Sequence, residues 1–170
     1  MGGRDARPPG DRAVPLPQAT APAAAAVVPG RGRTAAVLAV IAGIGATIAL
    51  YLTVVKLTGG VPTCGPLAGC ETVQTSSYST LFGIPISVFG LGYQLTMLAL
   101  VLGWWRTGDR RALLGAYLLG LTGVFVVAYL VYLQVAVIGA ICTWCMGFDT
   151  TIVLGFIGAV IAYARSGRTT

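Results

Sequence analysis

The sequence predicts an all-α membrane protein: a bundle of four transmembrane helices with an extracytoplasmic loop and a short capping helix. Of the 170 residues, 56% are hydrophobic and 9% are charged, which is typical of a membrane protein and not of a soluble domain. A helix that crosses a bilayer needs about 20 mostly apolar residues, and four stretches of the chain meet this requirement. The connections between them are short, so we expect one membrane domain over residues 34–165.

The four predicted spans differ in detail. The first two contain no charged residue, and Pro85 lies near the start of the second, where the N–H that proline lacks costs little. The third is long enough to tilt or to extend beyond the bilayer, and the fourth carries one acidic residue, Asp149. The predicted spans are 35–55, 81–105, 112–140 and 146–164.

Basic residues predict the orientation. They cluster before the first span, between the second and third, and after the fourth, and an even number of spans brings all three clusters to one side. The positive-inside rule assigns that side to the cytoplasm. We therefore expect a multi-pass protein of the inner (cytoplasmic) cell membrane with both termini in the cytoplasm, and with loop 57–80 and turn 141–145 facing outward. The clusters are Arg31 and Arg33; Arg106, Arg110 and Arg111; and Arg165 and Arg168.

The two ends of the chain do not show the periodicity of a helix or strand. Residues 1–33 are rich in Ala, Pro, Gly and Arg, and they predict a disordered cytoplasmic tail; residues 166–170 form a short cytoplasmic tail at the other end. The net charge of +6 comes largely from arginines beside the spans. No basic patch with interleaved aromatic residues is present in the sequence, so we expect lipid and no nucleic acid as a partner.

Four cysteines carry the candidate chemistry, and the sequence contains no histidine. Cys64 and Cys70 lie in a polar loop, and Cys142 and Cys145 form a Cys-x-x-Cys where the fourth span begins. All four should therefore lie at the extracytoplasmic face, where disulfides persist. At a helix N-terminus, unpaired backbone N–H groups and the helix dipole favour thiolate. The pattern indicates two dithiol pairs that exchange electrons.

Other interpretations of the cysteines remain open from the residues alone. A zinc site would use all four sulfurs as a tetrahedral set, but the Cys-x5-Cys spacing of the first pair is unlike a zinc knuckle, so we expect no metal. A non-enzymatic membrane scaffold would hold Cys142 and Cys145 as small buried apolar groups. It would keep Cys64–Cys70 as a structural bridge, although a disulfide that closes so short a loop adds little stability.

A longer set of motifs resembles the vitamin K epoxide reductase family, and more closely its bacterial homologues. The motifs are the loop pair within 64–73, a Ser/Thr-rich segment that leads into Phe-Gly-Ile-Pro within 76–87, and Cys-x-x-Cys at 142–145. The resemblance covers about 34–165. It implies a thiol:quinone oxidoreductase that reoxidises a separate, extracytoplasmic thioredoxin-fold (DsbA-like) thiol oxidase and so supports disulfide formation. The electron acceptor would be menaquinone, ubiquinone or another vitamin K-like quinone.

The resemblance also implies an order of events. The partner would attack the Cys64–Cys70 disulfide. Within this pair the chain itself suggests a hypothesis: Cys64 meets the partner and Cys70 is the carrier, because Cys70 lies nearer in sequence to the segment that re-enters the bundle. Cys70 would then attack Cys142, and Cys145 would reduce the quinone. A DsbB-like disulfide oxidase would carry out a similar reaction, but its Cys-x-x-Cys normally precedes the wider pair, which is the reverse of the order in this chain.

Four residues are the candidate quinone contacts. Ser76 and Ser79 lie in the segment expected to cap the bundle, and Ser79 stands where the animal enzymes have a quinone-binding Asn. Asp149 stands where those enzymes have a Tyr. It follows Cys145 by one helical turn, on the same face, and is a candidate proton acceptor. Gln134 is either a hydrogen-bond donor to the quinone or an interhelical contact. We expect Tyr93 to be a packing or interfacial-belt residue and not a cofactor contact.

Overall fold

The structure, a computed structural model, describes residues 30–64 and 69–167, and it confirms the predicted all-α bundle of four long helices. The predicted N-terminal tail lies outside these residues up to position 29, as do residues 168–170 and the centre of the loop between Cys64 and Cys70. In chain order the elements are α1 (Arg31–Leu57), α2 (Gly69–Thr75), a 3-10 turn (Ser77–Ser79), β1 (Thr80–Leu81), β2 (Ile84–Pro85), α3 (Ile86–Thr107), α4 (Arg110–Tyr132), a π-helical turn (Leu133–Ile138) and α5 (Thr143–Ser166).

The four long helices form a ring. α1 packs against α3 and α5, and α4 packs against the same two helices. Each long helix is apolar enough to cross a membrane. At most 33% of the residues in an 18-residue apolar stretch of each helix are buried within the protein. The outer faces carry exposed apolar side chains such as Val40, Leu118 and Phe125. Because such faces are stable in lipid and not in water, the chain is a multi-pass membrane protein.

The bundle is closely packed at the end away from the cysteines. A buried apolar cluster joins the first half of α1, the second half of α3, the start of α4 and the end of α5. Arg110 lies at the same end, with its guanidinium 4.7 Å from the centre of the Tyr163 ring. Fully buried members of the cluster include Ala35, Val101, Leu113 and Ala159.

The second membrane helix begins at Ile86, later than the predicted position 81. Phe82 and Gly83 adopt φ angles of 52° and 80° and form the tip of a hairpin in which Leu81 pairs with Ile84. Two consecutive positive φ angles suit a two-residue hairpin loop and interrupt a helix. Pro85 then precedes the first residue of α3.

The other helix ends also differ from the predicted spans. α1 begins at Arg31, so the last residues assigned to the disordered tail are helical. The third membrane helix ends in the π-helical turn at Ile138, before Gly139 with φ 69°. α5 begins at Thr143, three positions before the apolar span, and Cys142 is its N-cap residue.

The segment between α1 and α3 covers the cysteine end of the bundle, as predicted for a capping helix. Lys56, at the end of α1, donates hydrogen bonds to the Gln74 carbonyl oxygen and, at 3.0 Å, to Ser79 Oγ. Ser79 Oγ also donates to the Ser76 carbonyl oxygen at 2.8 Å. One lysine therefore joins the end of α2 and the 3-10 turn to a membrane helix.

A buried polar pair determines how closely α1 can approach its neighbours. Gln94 on α3 is 2% exposed and donates a hydrogen bond from Nε2 to Thr151 Oγ1 on α5 at 2.7 Å. α1 passes this pair at Gly45, where a Cβ would contact Gln94 Nε2 and lie 2.5 Å from Thr151 Oγ1. The close approach therefore requires glycine at this position.

We predict that Gly45→Ala lowers the free energy of unfolding by about 1–3 kcal/mol, because the added methyl group overpacks the Gln94–Thr151 pair. Denaturation in detergent, followed by circular dichroism, measures the change. Gly43→Ala is the matched control, since a Cβ at Gly43 meets no atom within 4 Å. It should leave stability unchanged or raise it slightly, because alanine favours a helix. Equal stability of the two variants would contradict the prediction.

Candidate active site

The loop cysteines are joined and unequally buried. Cys64 and Cys70 form a disulfide with a Cα–Cα distance of 6.1 Å. Cys70, the second residue of α2, is 0% exposed, whereas Cys64 is only partly buried. An external thiol therefore has better access to Cys64 than to Cys70.

Cys142 and Cys145 are free thiols in the first turn of α5. Cys142 Sγ accepts hydrogen bonds from Cys145 Sγ and, at 3.3 Å, from the Cys145 backbone N–H. The hydrogen bond from the Cys145 side chain, with those from the backbone N–H groups of Cys145 and Trp144, lowers the pKa of the Cys142 thiol, although burial acts in the opposite direction. Cys142 is therefore the sulfur of this pair that is stabilised as thiolate.

The segments that carry the two cysteine pairs are in contact. The contacting residues are those that directly precede the cysteines. Gly69, before Cys70, lies against the backbone of Ile141, which precedes Cys142. On the other side, Trp144 Nε1 donates a hydrogen bond to the Thr63 carbonyl oxygen at 3.1 Å. The structure therefore brings together the loop and the Cys-x-x-Cys segment.

A cavity of about 280 Å³ lies beneath the capping segment. Its walls are mostly apolar and come from all four long helices, as expected of a small-molecule site with few polar groups. All four candidate quinone contacts and one cysteine line it: Ser76, Ser79, Gln134, Cys145 and Asp149.

Two residues that line this cavity each have a buried polar atom without a hydrogen-bond partner. Among the described residues, Asp149 Oδ2 and the Tyr93 hydroxyl are the buried side-chain oxygen or nitrogen atoms left unpaired. Asp149 is 4% exposed, and both residues line the cavity. Buried polar atoms are normally paired, so two unpaired ones at one cavity indicate a site for a ligand with polar atoms.

Gln134 has a second contact besides its place in the cavity wall. Its Oε1 accepts a hydrogen bond from the Cys142 backbone N–H at 2.8 Å. Its carbonyl oxygen accepts another from the Ala140 N–H at 3.0 Å. Gln134 therefore fixes the start of α5 while its side chain lines the cavity.

Sequence reasoning missed three residues at this site. Tyr93 packs against the buried cluster, as expected, and it also lines the cavity. Gln74, on α2, also lines the cavity and donates from Nε2 to Cys145 Sγ at 3.9 Å. Lys56 supports the cap through the contacts described above. A hydroxyl in the middle of an apolar span was a signal for Tyr93; the contacts of Gln74 and Lys56 depend on how distant segments meet.

A comparison with protein-family models identifies the family of the chain. The model of the vitamin K epoxide reductase family matches residues 36–161 of the 170-residue chain. The matched region contains both cysteine pairs and every residue that lines the cavity. The chain therefore belongs to the vitamin K epoxide reductase family, and this membership indicates a membrane oxidoreductase that acts on thiols.

Proposed function

We propose that the protein is a membrane thiol:quinone oxidoreductase. It takes electrons from an extracytoplasmic thioredoxin-fold partner at Cys64 and Cys70 and delivers them through Cys142 and Cys145 to a quinone. The observation that carries the proposal is the place of Cys145, which is hydrogen-bonded to Cys142 and also lines the apolar cavity with the two unpaired polar groups.

The difference in burial supports the order of the first step. A partner thiolate attacks Cys64, the more accessible sulfur, and the Cys64–Cys70 bond breaks with Cys70 as the leaving thiolate. A second partner thiol then attacks the mixed disulfide. This releases the oxidised partner and leaves Cys64 as a thiol. Two electrons have passed to the loop pair.

The contact between α2 and the start of α5 supports the second step. The Cys70 thiolate attacks Cys142 of an oxidised Cys142–Cys145 pair, and Cys145 leaves as thiolate. Cys64 then attacks Cys70, which re-forms the loop disulfide and releases Cys142. The lowered pKa of Cys142 suits this role, because a low-pKa thiol is a good leaving group.

The cavity has the size and polarity to hold a quinone ring. Its volume is near the lower end of the range for small-molecule sites. A quinone held there would take the two electrons and two protons of the Cys142–Cys145 dithiol, and the Cys142–Cys145 disulfide would re-form. Tyr93 has a free hydroxyl to orient a carbonyl oxygen, and Asp149 Oδ2 can hold the proton released by the Cys145 thiol. Ser76 and Ser79 belong to the cap that excludes water from this chemistry.

The orientation expected from the arginines supports an extracytoplasmic active site. Arg106, Arg110 and Arg111 lie at the connection between α3 and α4, whereas the cysteines lie at the other ends of these helices. We therefore place the cysteine end outside the cytoplasm, as the positive-inside rule requires. A four-cysteine metal site receives less support, because the loop disulfide uses two of the four possible thiolate ligands.

Replacing Cys145 tests the central claim. We predict that Cys145→Ala reduces the rate of quinone reduction by a dithiol donor to the uncatalysed background, because it removes the sulfur at the cavity. The loss of quinone absorbance measures the rate in purified protein. Gly147→Ala is the control, since a Cβ at that position meets only Ile48 Cδ1, at 3.8 Å. Activity at the wild-type rate in Cys145→Ala would refute the proposal.

Asp149→Asn tests the proton acceptor. The amide keeps the shape of the carboxylate but cannot take up a proton, so we expect kcat for quinone reduction to fall by about 100-fold while KM changes less. Thr150→Ala is the control, because Thr150 is exposed and its hydroxyl bonds only within α5, to the Met146 carbonyl oxygen. An unchanged kcat in Asp149→Asn would remove Asp149 from the mechanism.

Tyr93→Phe tests the hydroxyl in the cavity. One hydrogen bond is worth about 0.5–1.5 kcal/mol, so we expect KM for the quinone to rise about 2- to 10-fold. Thermal stability should be retained, because the hydroxyl has no partner within the chain. The lipid-facing Tyr129, which is 58% exposed, provides the control Tyr129→Phe. A drop in stability with no change in KM would assign Tyr93 to packing instead.

A further inference from the structure

The two cysteine-bearing segments approach each other closely at Gly69. A Cβ on Gly69 would contact the Ile141 carbonyl oxygen, and it would lie 2.7 Å from the Ile141 nitrogen and 3.0 Å from its carbonyl carbon. All three atoms belong to the backbone, so no side-chain rotation could relieve the overlap. The two segments can meet this closely only because residue 69 has no side chain.

Gly69 is not required by its own backbone conformation. The described glycines with positive φ are at positions 30, 59, 83, 108 and 139, and Gly69 is not among them. It opens the short helix α2, where other residues are tolerated. The constraint at position 69 is therefore one of space.

The Ile141 backbone cannot readily move away. The residues on either side of it are both held by Gln134: Ala140 N–H donates to the Gln134 carbonyl oxygen at 3.0 Å, and Cys142 N–H donates to Gln134 Oε1 at 2.8 Å. A larger residue at position 69 would therefore displace α2, and Cys70 with it.

We propose that Gly69 is a positioning residue that sets Cys70 against Cys142 for disulfide exchange. This inference rests on the proposed function. In the step concerned, the Cys70–Cys142 bond forms while the Cys142–Cys145 bond breaks, and Cys145 takes the electron pair as thiolate. Both Cys70 and Cys142 are 0% exposed, so their encounter cannot rely on loop motion through solvent and depends on how α2 is seated.

The first experiment measures this encounter directly. In the full chain carrying Cys64→Ser and Cys145→Ser, only Cys70 and Cys142 remain as cysteines. Diamide oxidation should join them, and mass spectrometry after alkylation of free thiols gives the rate. Adding Gly69→Ala should slow formation of the Cys70–Cys142 bond about 10- to 100-fold. A displacement of reacting atoms by about 1 Å can slow a reaction by as much as about 100-fold. Gly147→Ala in the same background is the matched control and should leave the rate unchanged.

The outcomes separate the inference from the proposed function. Equal rates with and without the Gly69→Ala substitution would overturn the role of Gly69 and leave the Cys70-to-Cys142 route intact. Failure of Cys70 and Cys142 to join even with Gly69 present would overturn both. Slower joining in Gly69→Ala, with the rate retained in Gly147→Ala, would support the inference.

A second measurement keeps Gly69 in place and so does not depend on whether Gly69→Ala folds. In the full chain carrying Cys70→Ser and Cys145→Ser, Cys64 and Cys142 are the remaining cysteines. If the Gly69 contact positions Cys70 next to Cys142, then Cys64 should form a disulfide with Cys142 at least about 10-fold more slowly than Cys70 does. Equal rates for Cys64 and Cys70 would show that the Gly69–Ile141 contact does not select the sulfur, and the inference would fail.

Discussion

The hydrogen bond from the Cys142 N–H to Gln134 Oε1 is the interaction on which the site depends. The first N–H groups of a helix have no partner within it, and an unpaired one in an apolar setting is costly. Gln134 meets this need from the π-helical turn that ends the preceding membrane helix. The same residue also holds Ala140, so the backbone around Cys142 is fixed on both sides. The position of Cys145 at the cavity, and the seat for α2 at Ile141, follow from this fixed start of α5.

The two ends of the bundle are built for different purposes. Away from the cysteines, alanines and larger apolar side chains such as Leu113, Met97 and Trp104 fill the space between the helices. Towards the cysteines, the same helices line the cavity, which the capping segment covers. Lys56 joins that segment to α1 through Gln74 and Ser79. The closely packed end thus stabilises a bundle whose other end contains a cavity and unpaired polar atoms. Such departures from close packing are typical of functional sites.

Two glycines allow close contacts between segments of the bundle, and one of these contacts lies on the proposed route of the electrons. Gly45 lets α1 approach the buried Gln94–Thr151 pair, and Gly69 lets α2 lie on the backbone of Ile141. In both places the neighbouring atoms are polar or belong to the backbone, so a side chain there would break a hydrogen bond or shift a helix. The first contact concerns stability, and the second concerns which sulfur can reach Cys142.

The sequence by itself determined the class of protein, the four long helices and the sharing of one end of the bundle by all the cysteines. These features depend on composition, on the length of apolar stretches and on local spacing, which are properties of neighbouring residues. It also placed Asp149 one turn after Cys145, because helical periodicity is local. Only the tertiary structure decided that Tyr93 lines the cavity and leaves its hydroxyl unpaired, that Gln134 bonds to Cys142, and that Gly69 meets Ile141. Those contacts join segments far apart in the chain, and their geometry is set by how the helices pack.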